Sequence, residues 1–121
     1  MVLLVKAYTK NPVGAHYGLG DWLLQRLTAV VMVLFTLGFA LCLAVHQPGT
    51  YAEWKALFSR TIVRVSTMLF FIALLYHAWV GMRDILMDYI RPTGIRLTLQ
   101  SAVVVALLLY LIWVVSILWS R

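Results

Sequence analysis

The chain has 121 residues, 64% of them hydrophobic and only 12% charged. Soluble domains carry about 25% charged residues, so the composition excludes a soluble globular enzyme and predicts an all-α integral membrane protein. The formal charge of +6 fits loops facing anionic lipid; nucleic-acid binding is disfavoured, because the basic residues stand singly between apolar runs and form no continuous patch.

Residues 1–21 are mixed, with Lys6, Lys10, Asn11-Pro12 and Gly14, Gly18 and Gly20. The glycines argue against a long helix here, although a short interfacial piece over residues 2–7 fits the pattern. Asp21 is placed to cap the next helix. The first span is predicted over residues 22–45. Arg26 is its only charge, near enough to the end to snorkel, and the uncharged run over 27–45 crosses a hydrocarbon core of about 30 Å. His46-Gln47-Pro48-Gly49 reads as a turn. The single cysteine, Cys42, allows no intrachain disulfide. Leu41 before it disfavours lipidation, and the first apolar run is too long and too late for a cleaved signal sequence.

Residues 50–61 read as a short connection, a brief amphipathic turn with Trp54 at the interface. The second span is predicted over 62–87, ended by Arg91-Pro92-Thr93-Gly94. The third is predicted over 95–119, with Trp119 at the far interface. No internal repeat occurs, so residues 1–121 are expected to form one membrane domain of three transmembrane helices. Three spans put the N-terminus and the second loop on one side, with Lys6, Lys10, Arg26, Arg83, Arg91 and Arg96. Lys55, Arg60, Arg64 and Arg121 lie on the other. This bias predicts a cytoplasmic N-terminus.

The second span carries the candidate chemistry. At about 100° per residue, His77, Gly81, Asp84 and Asp88 share nearly one face, and about 16 Å along the axis separates His77 from Asp88. An ionisable residue within an apolar helix is a functional-site hypothesis. A neutral imidazole is a good axial ligand for haem iron. Ala73 and Gly81, one turn to either side, leave a shallow slot for a flat macrocycle. The small residues serve equally well in helix contact, with His77 hydrogen-bonded to a neighbouring helix or acting in a proton relay. His16 lies in the N-terminal segment and His46 at the opposite membrane face. A bis-histidine site therefore needs its second histidine from another subunit. Asp88 and Tyr89 suit a polar headgroup such as a quinone, or an interfacial tyrosine belt with a carboxylate paired to Arg83 or Arg91. Arg26 suits a haem propionate or a lipid phosphate. No nucleophile–base set, phosphate loop or cysteine cluster is present, so the chain alone carries no catalytic machinery.

The segment His77-Ala78-Trp79-Val80-Gly81-Met82, followed by Asp88-Tyr89, has the spacing H-x3-G-x6-D-Y. It resembles the motif of the hydrophobic membrane anchor (D) subunits of bacterial succinate dehydrogenase. Gln25-Arg26-Leu27-Thr28-Ala29-Val30-Val31 resembles the start of that family's first helix. Arg96-Leu97-Thr98-Leu99-Gln100-Ser101 resembles the start of its third. The resemblance covers roughly residues 21–120 and leaves residues 1–20 without a role. It implies half of a heterodimeric anchor bundle in the bacterial inner membrane, completed by a second three-helix cytochrome b subunit. An iron–sulfur subunit and a flavoprotein subunit would sit on the cytoplasmic face. It implies a haem b shared between the two anchors with His77 as one axial ligand, Arg26 near the propionates, and ubiquinone at Tyr89 with Asp88 adjacent. Two rivals stand beside this reading: the anchor of a fumarate reductase, and a small structural membrane protein without cofactor.

Overall fold

The computed structural model describes the backbone of residues 14–120 and the side chains of residues 19–120. Four helices follow one another: α1 (Gly14–His46), α2 (Tyr51–Ser59), α3 (Thr61–Tyr89) and α4 (Thr93–Trp119). No strand occurs among the described residues. Three of the helices, α1, α3 and α4, are long and apolar enough to cross a membrane, so the fold is the all-α, three-span bundle that the composition predicts.

Helix α3 is the centre of the bundle, with α1 on one side and α4 on the other. Contacts between named residues give the directions. Asp21, early in α1, pairs with Arg83, late in α3. Further in, Thr28 meets His77, then Phe35 stacks on Phe70 with ring centroids 4.6 Å apart. At the other end, Arg60 Nη1 lies 3.4 Å from His46 Nε2. Each step forward along α1 is matched by a step back along α3, so the two helices run antiparallel. Helix α4 is antiparallel to α3 in turn: the Arg64 guanidinium lies 5.6 Å from the ring of Trp119, near the end of α4.

On α1 the contacting residues Asp21, Gln25, Thr28, Phe35 and Phe39 recur at spacings of three, four and seven. That is one stripe along a helix. The stripe is polar over its first two turns and aromatic further on. Few hydrophobic side chains are enclosed: among the described residues only Leu57, Ala73, Val80, Leu86 and Leu118 are buried. Large apolar groups such as Leu34, Leu41, Leu109 and Ile112 are more than half exposed. In hydrocarbon this carries no penalty, and it leaves surface for lipid or for further helices.

The predicted spans hold, with their ends moved outward. The first helix begins at Gly14, not at residue 22, and Asp21 lies inside it rather than capping it. Two forces act against the local signals there. Adding residues to an existing helix is far easier than nucleating one, and each interior glycine costs only about 1 kcal/mol. Asp21 meanwhile finds a stronger partner across the bundle in Arg83. The piece expected at residues 2–7 lies outside the described residues. At the other end of α1, Gln47 adopts a left-handed φ of 44° and its N–H donates to Leu43 O at 2.8 Å. This closes the last turn, and Pro48 cannot continue it.

The connection expected as a brief turn is a nine-residue helix, α2. It starts on a capping box: Thr50 Oγ1 accepts from the Glu53 N–H at 3.3 Å, while Glu53 Oε2 accepts from the Thr50 N–H at 2.9 Å. The pattern Thr-x-x-Glu is its sequence signature. A bend at Arg60 leads directly into α3. Helix α3 continues to Tyr89, so Asp88 and Tyr89 form its last turn, and Pro92 precedes α4.

Candidate functional site

His77 sits on α3, half-buried, beside the polar end of the α1 stripe. Two residues of α1 hold it. Thr28 Oγ1 lies 3.1 Å from His77 Nδ1, and Gln25 Nε2 reaches the His77 carbonyl oxygen at 3.5 Å. Thr28 is itself 9% exposed. Its hydroxyl also lies 2.8 Å from Leu24 O and 3.0 Å from Gln25 O, one turn back on its own helix. The His77 Nε2 has no hydrogen-bond partner among the described residues. Gln25 Oε1 is buried and likewise without one.

The two small residues that flank His77 differ in their surroundings. Ala73 is 5% exposed and packed into the bundle, so the chain itself closes that side. At Gly81 an added Cβ would meet nothing within 4 Å, and the space there is open. The helix is continuous through His77, Gly81, Asp84 and Asp88, as the shared-face reading requires.

Asp88 and Tyr89 lie at the exit of α3 and are exposed, Tyr89 at 81%. Among the described residues Asp88 forms no ion pair. Arg83, one of its expected partners, pairs instead with Asp21 and approaches Asp84 at 3.7 Å. Arg26 is exposed on α1, with its guanidinium 5.3 Å from the Trp22 ring. Among the described residues it forms no hydrogen bond with His77. The site residues thus fall into two groups on one helix: His77 well inside α3, and Asp88 and Tyr89 in its last turn, at the end where α1 begins.

His46 is accounted for within the chain. Its Nδ1 lies 3.0 Å from Cys42 O, and its Nε2 faces Arg60. A cleft of about 590 Å³ opens at that same far end, lined by Trp54, Lys55, Phe58, Arg64 and Phe71 among others. None of the residues singled out for haem or quinone lines it. No cluster of three or more His, Cys, Asp or Glu side chains that would hold a metal ion occurs among the described residues.

A family model described as succinate dehydrogenase/fumarate reductase transmembrane subunit matches residues 8–113. The chain belongs to this family. It is 37% identical over 102 residues to the succinate dehydrogenase hydrophobic membrane anchor subunit of Coxiella burnetii (strain RSA 493 / Nine Mile phase I), covering 84% of this chain and 89% of that protein. It is 34% identical over 102 residues to the subunit of the same name from Rickettsia bellii (strain RML369-C), covering 83% of this chain and 78% of the relative. Family membership and the three apolar helices make the chain a multi-pass membrane subunit, in agreement with the motif resemblance.

Three polar residues of α1 bear on the site beyond those that the motif singles out: Gln25 and Thr28, which in the sequence read only as part of a helix start, and Asp21, which reads only as a cap. Their common signal is polar residues at i, i+4 and i+7 inside or beside an apolar run, which marks a helix face turned toward protein. Read that way, the sequence already points them at a neighbouring helix, though not at His77.

Proposed function

We propose that this family member is a membrane anchor subunit of succinate:ubiquinone oxidoreductase. It binds one half of a haem b site and part of a ubiquinone site, and attaches the flavoprotein and iron–sulfur subunits to the cytoplasmic face of the inner membrane. The observation that carries the reading is the state of His77. One ring nitrogen is engaged by α1, the other has no partner among the described residues, and the neighbouring space at Gly81 is open. A metal-binding histidine presents just this pattern, with its second nitrogen bonded to an outer partner.

The donor set fits a haem shared between subunits. His77 offers an imidazole nitrogen as axial ligand, and His46, already engaged at both nitrogens, does not compete. A second histidine for the same haem would come from the other three-helix anchor. Arg26, held against Trp22, has the charge and planar geometry to pair with a propionate. When bound, the haem supplies a one-electron store close to the quinone.

The quinone end rests on Tyr89 and Asp88. The Tyr89 phenol donates a hydrogen bond to a quinone carbonyl and so orients the ring. The Asp88 carboxyl next to it would help supply, at the same edge, the protons that the reduced ring takes up. Both are exposed and lie roughly 16–18 Å along the axis from His77 at about 1.5 Å per residue, on the side where an iron–sulfur subunit would dock. The family description also covers fumarate reductase, which would use the same sites in the opposite direction.

The test is Tyr89→Phe in the assembled complex. Quinone reductase activity falls, while succinate oxidation by an artificial soluble acceptor persists. Equal loss of both activities, or loss of neither, refutes the assignment. The same preparation must also contain a flavoprotein, an iron–sulfur protein and a second three-span chain; isolation of this chain without them would refute the anchor role.

A further inference from the structure

Resting on the reading of His77 as an axial ligand, we propose that Thr28 is a positioning residue for it. The Thr28 hydroxyl accepts a hydrogen bond from the His77 Nδ1–H. This fixes the tautomer whose Nε2 lone pair points away from α1 and is ready for iron.

Proton counting carries the inference. A hydroxyl has one hydrogen to donate and two lone pairs to accept with. Thr28 has two backbone carbonyls within reach, Leu24 O at 2.8 Å and Gln25 O at 3.0 Å. A helical threonine commonly gives its proton to the carbonyl one turn back, and these distances are those of that bond. The remaining contact, 3.1 Å to His77 Nδ1, then falls on a lone pair of Oγ1. The ring must be the donor. A neutral imidazole carries one N–H, so a proton on Nδ1 leaves Nε2 bare. The reverse arrangement, with Thr28 donating to Nδ1, would abandon both carbonyls.

The surroundings keep this arrangement in place. Thr28 is nearly enclosed, so water does not compete for its hydroxyl. Gln25, one turn before it, ties the His77 backbone carbonyl, fixing the register of α3 against α1 at this level. The Asp21–Arg83 pair fixes it again nearer the helix ends. An outer hydrogen bond to a ligating histidine raises its basicity and restricts its rotation. Losing such a partner typically weakens metal retention about 10–100-fold. It also makes the axial ligand a poorer electron donor, which raises the potential of a haem held by it.

Thr28→Val and Thr28→Ser separate these effects, valine keeping the shape without the hydroxyl and serine keeping the hydroxyl. The first measurement needs no haem: ¹⁵N NMR of the histidine-labelled full chain in detergent micelles, with helix content checked by circular dichroism. Wild type and Thr28→Ser hold His77 with its proton on Nδ1, and Thr28→Val shifts it toward Nε2. A wild-type proton on Nε2, or no change in Thr28→Val, overturns the proposal. The second uses the assembled complex. Thr28→Val loses haem about 10-fold more readily on detergent washing and its residual haem titrates at a higher potential, while Thr28→Ser restores both. Unchanged haem in Thr28→Val overturns the role toward iron, whereas a wild-type complex that contains no haem overturns the ligand reading alone and leaves the tautomer result to judge Thr28.

Discussion

The Asp21–Arg83 pair, which joins the open ends of α1 and α3, yields a prediction with a defined size. Two unit charges 4 Å apart attract by about 4 kcal/mol at an effective dielectric constant of 20. That gross figure needs discounting. The side chains are 28% exposed for Arg83 and 40% for Asp21, and exposed pairs measure only about 0.2–1 kcal/mol in double-mutant cycles. The pair is hydrogen-bonded and partly enclosed, so a coupling energy of about 1 kcal/mol is expected. The cycle compares Asp21→Asn, Arg83→Gln and the double variant by reversible unfolding in mixed micelles. It should be repeated in 1 M salt, where the Debye length falls to about 3 Å and the coupling should shrink. Additivity within about 0.3 kcal/mol at low salt would refute the view that this pair sets the register of α1 on α3.

Other outcomes follow from single features. Glu53 accepts from the Gly49 and Thr50 N–H groups, first from Gly49, and its pKa is lowered below the ordinary 4.5. The capping box therefore contributes in full above that ordinary value and is lost as the pH falls through the lowered folded value. A ¹³C titration of Glu53 should show the lowered midpoint, and Thr50→Ala, which keeps both backbone N–H donors, should move it only part of the way back up; a midpoint at the ordinary value in the wild type contradicts the box. At Gly81 an alanine meets open space and should stabilise the isolated chain by up to about 1 kcal/mol. Gly81→Leu should leave that chain folded yet reduce haem content in the complex, and full haem content there would refute the slot. Ala73→Leu overpacks the bundle where Ala73 is 5% exposed and should cost about 1–3 kcal/mol, as measured by thermal unfolding.

The three spans were legible because hydrophobic length is a one-dimensional property of the chain. Helix ends were less so. Gly14, Gly18 and Gly20 read locally as breakers, yet α1 runs through them, because tertiary contacts further along and easy propagation outweigh a weak local preference. The start of α2 is readable in the Thr50-x-x-Glu53 pattern, although the shortness of the stretch favours a turn. The face bearing His77, Gly81 and Asp88 was legible from helical periodicity alone. What Thr28, Gln25 and Asp21 touch was not, since that depends on which residue of α3 stands opposite. Sequence spacing within one helix carries no information on that alignment. The packing of Ala73 illustrates the same limit: a small residue beside His77 signals close approach, but not whether protein or ligand makes it.

His77 as the haem ligand of the chain is the central claim, and a reduced-minus-oxidised absorbance spectrum of the purified complex tests it most directly. The complex carrying His77→Ala should lose the b-type haem signal, while the one carrying His46→Ala, whose imidazole is engaged by Cys42 and Arg60, should keep it. A b-type signal that survives His77→Ala unchanged would contradict the account.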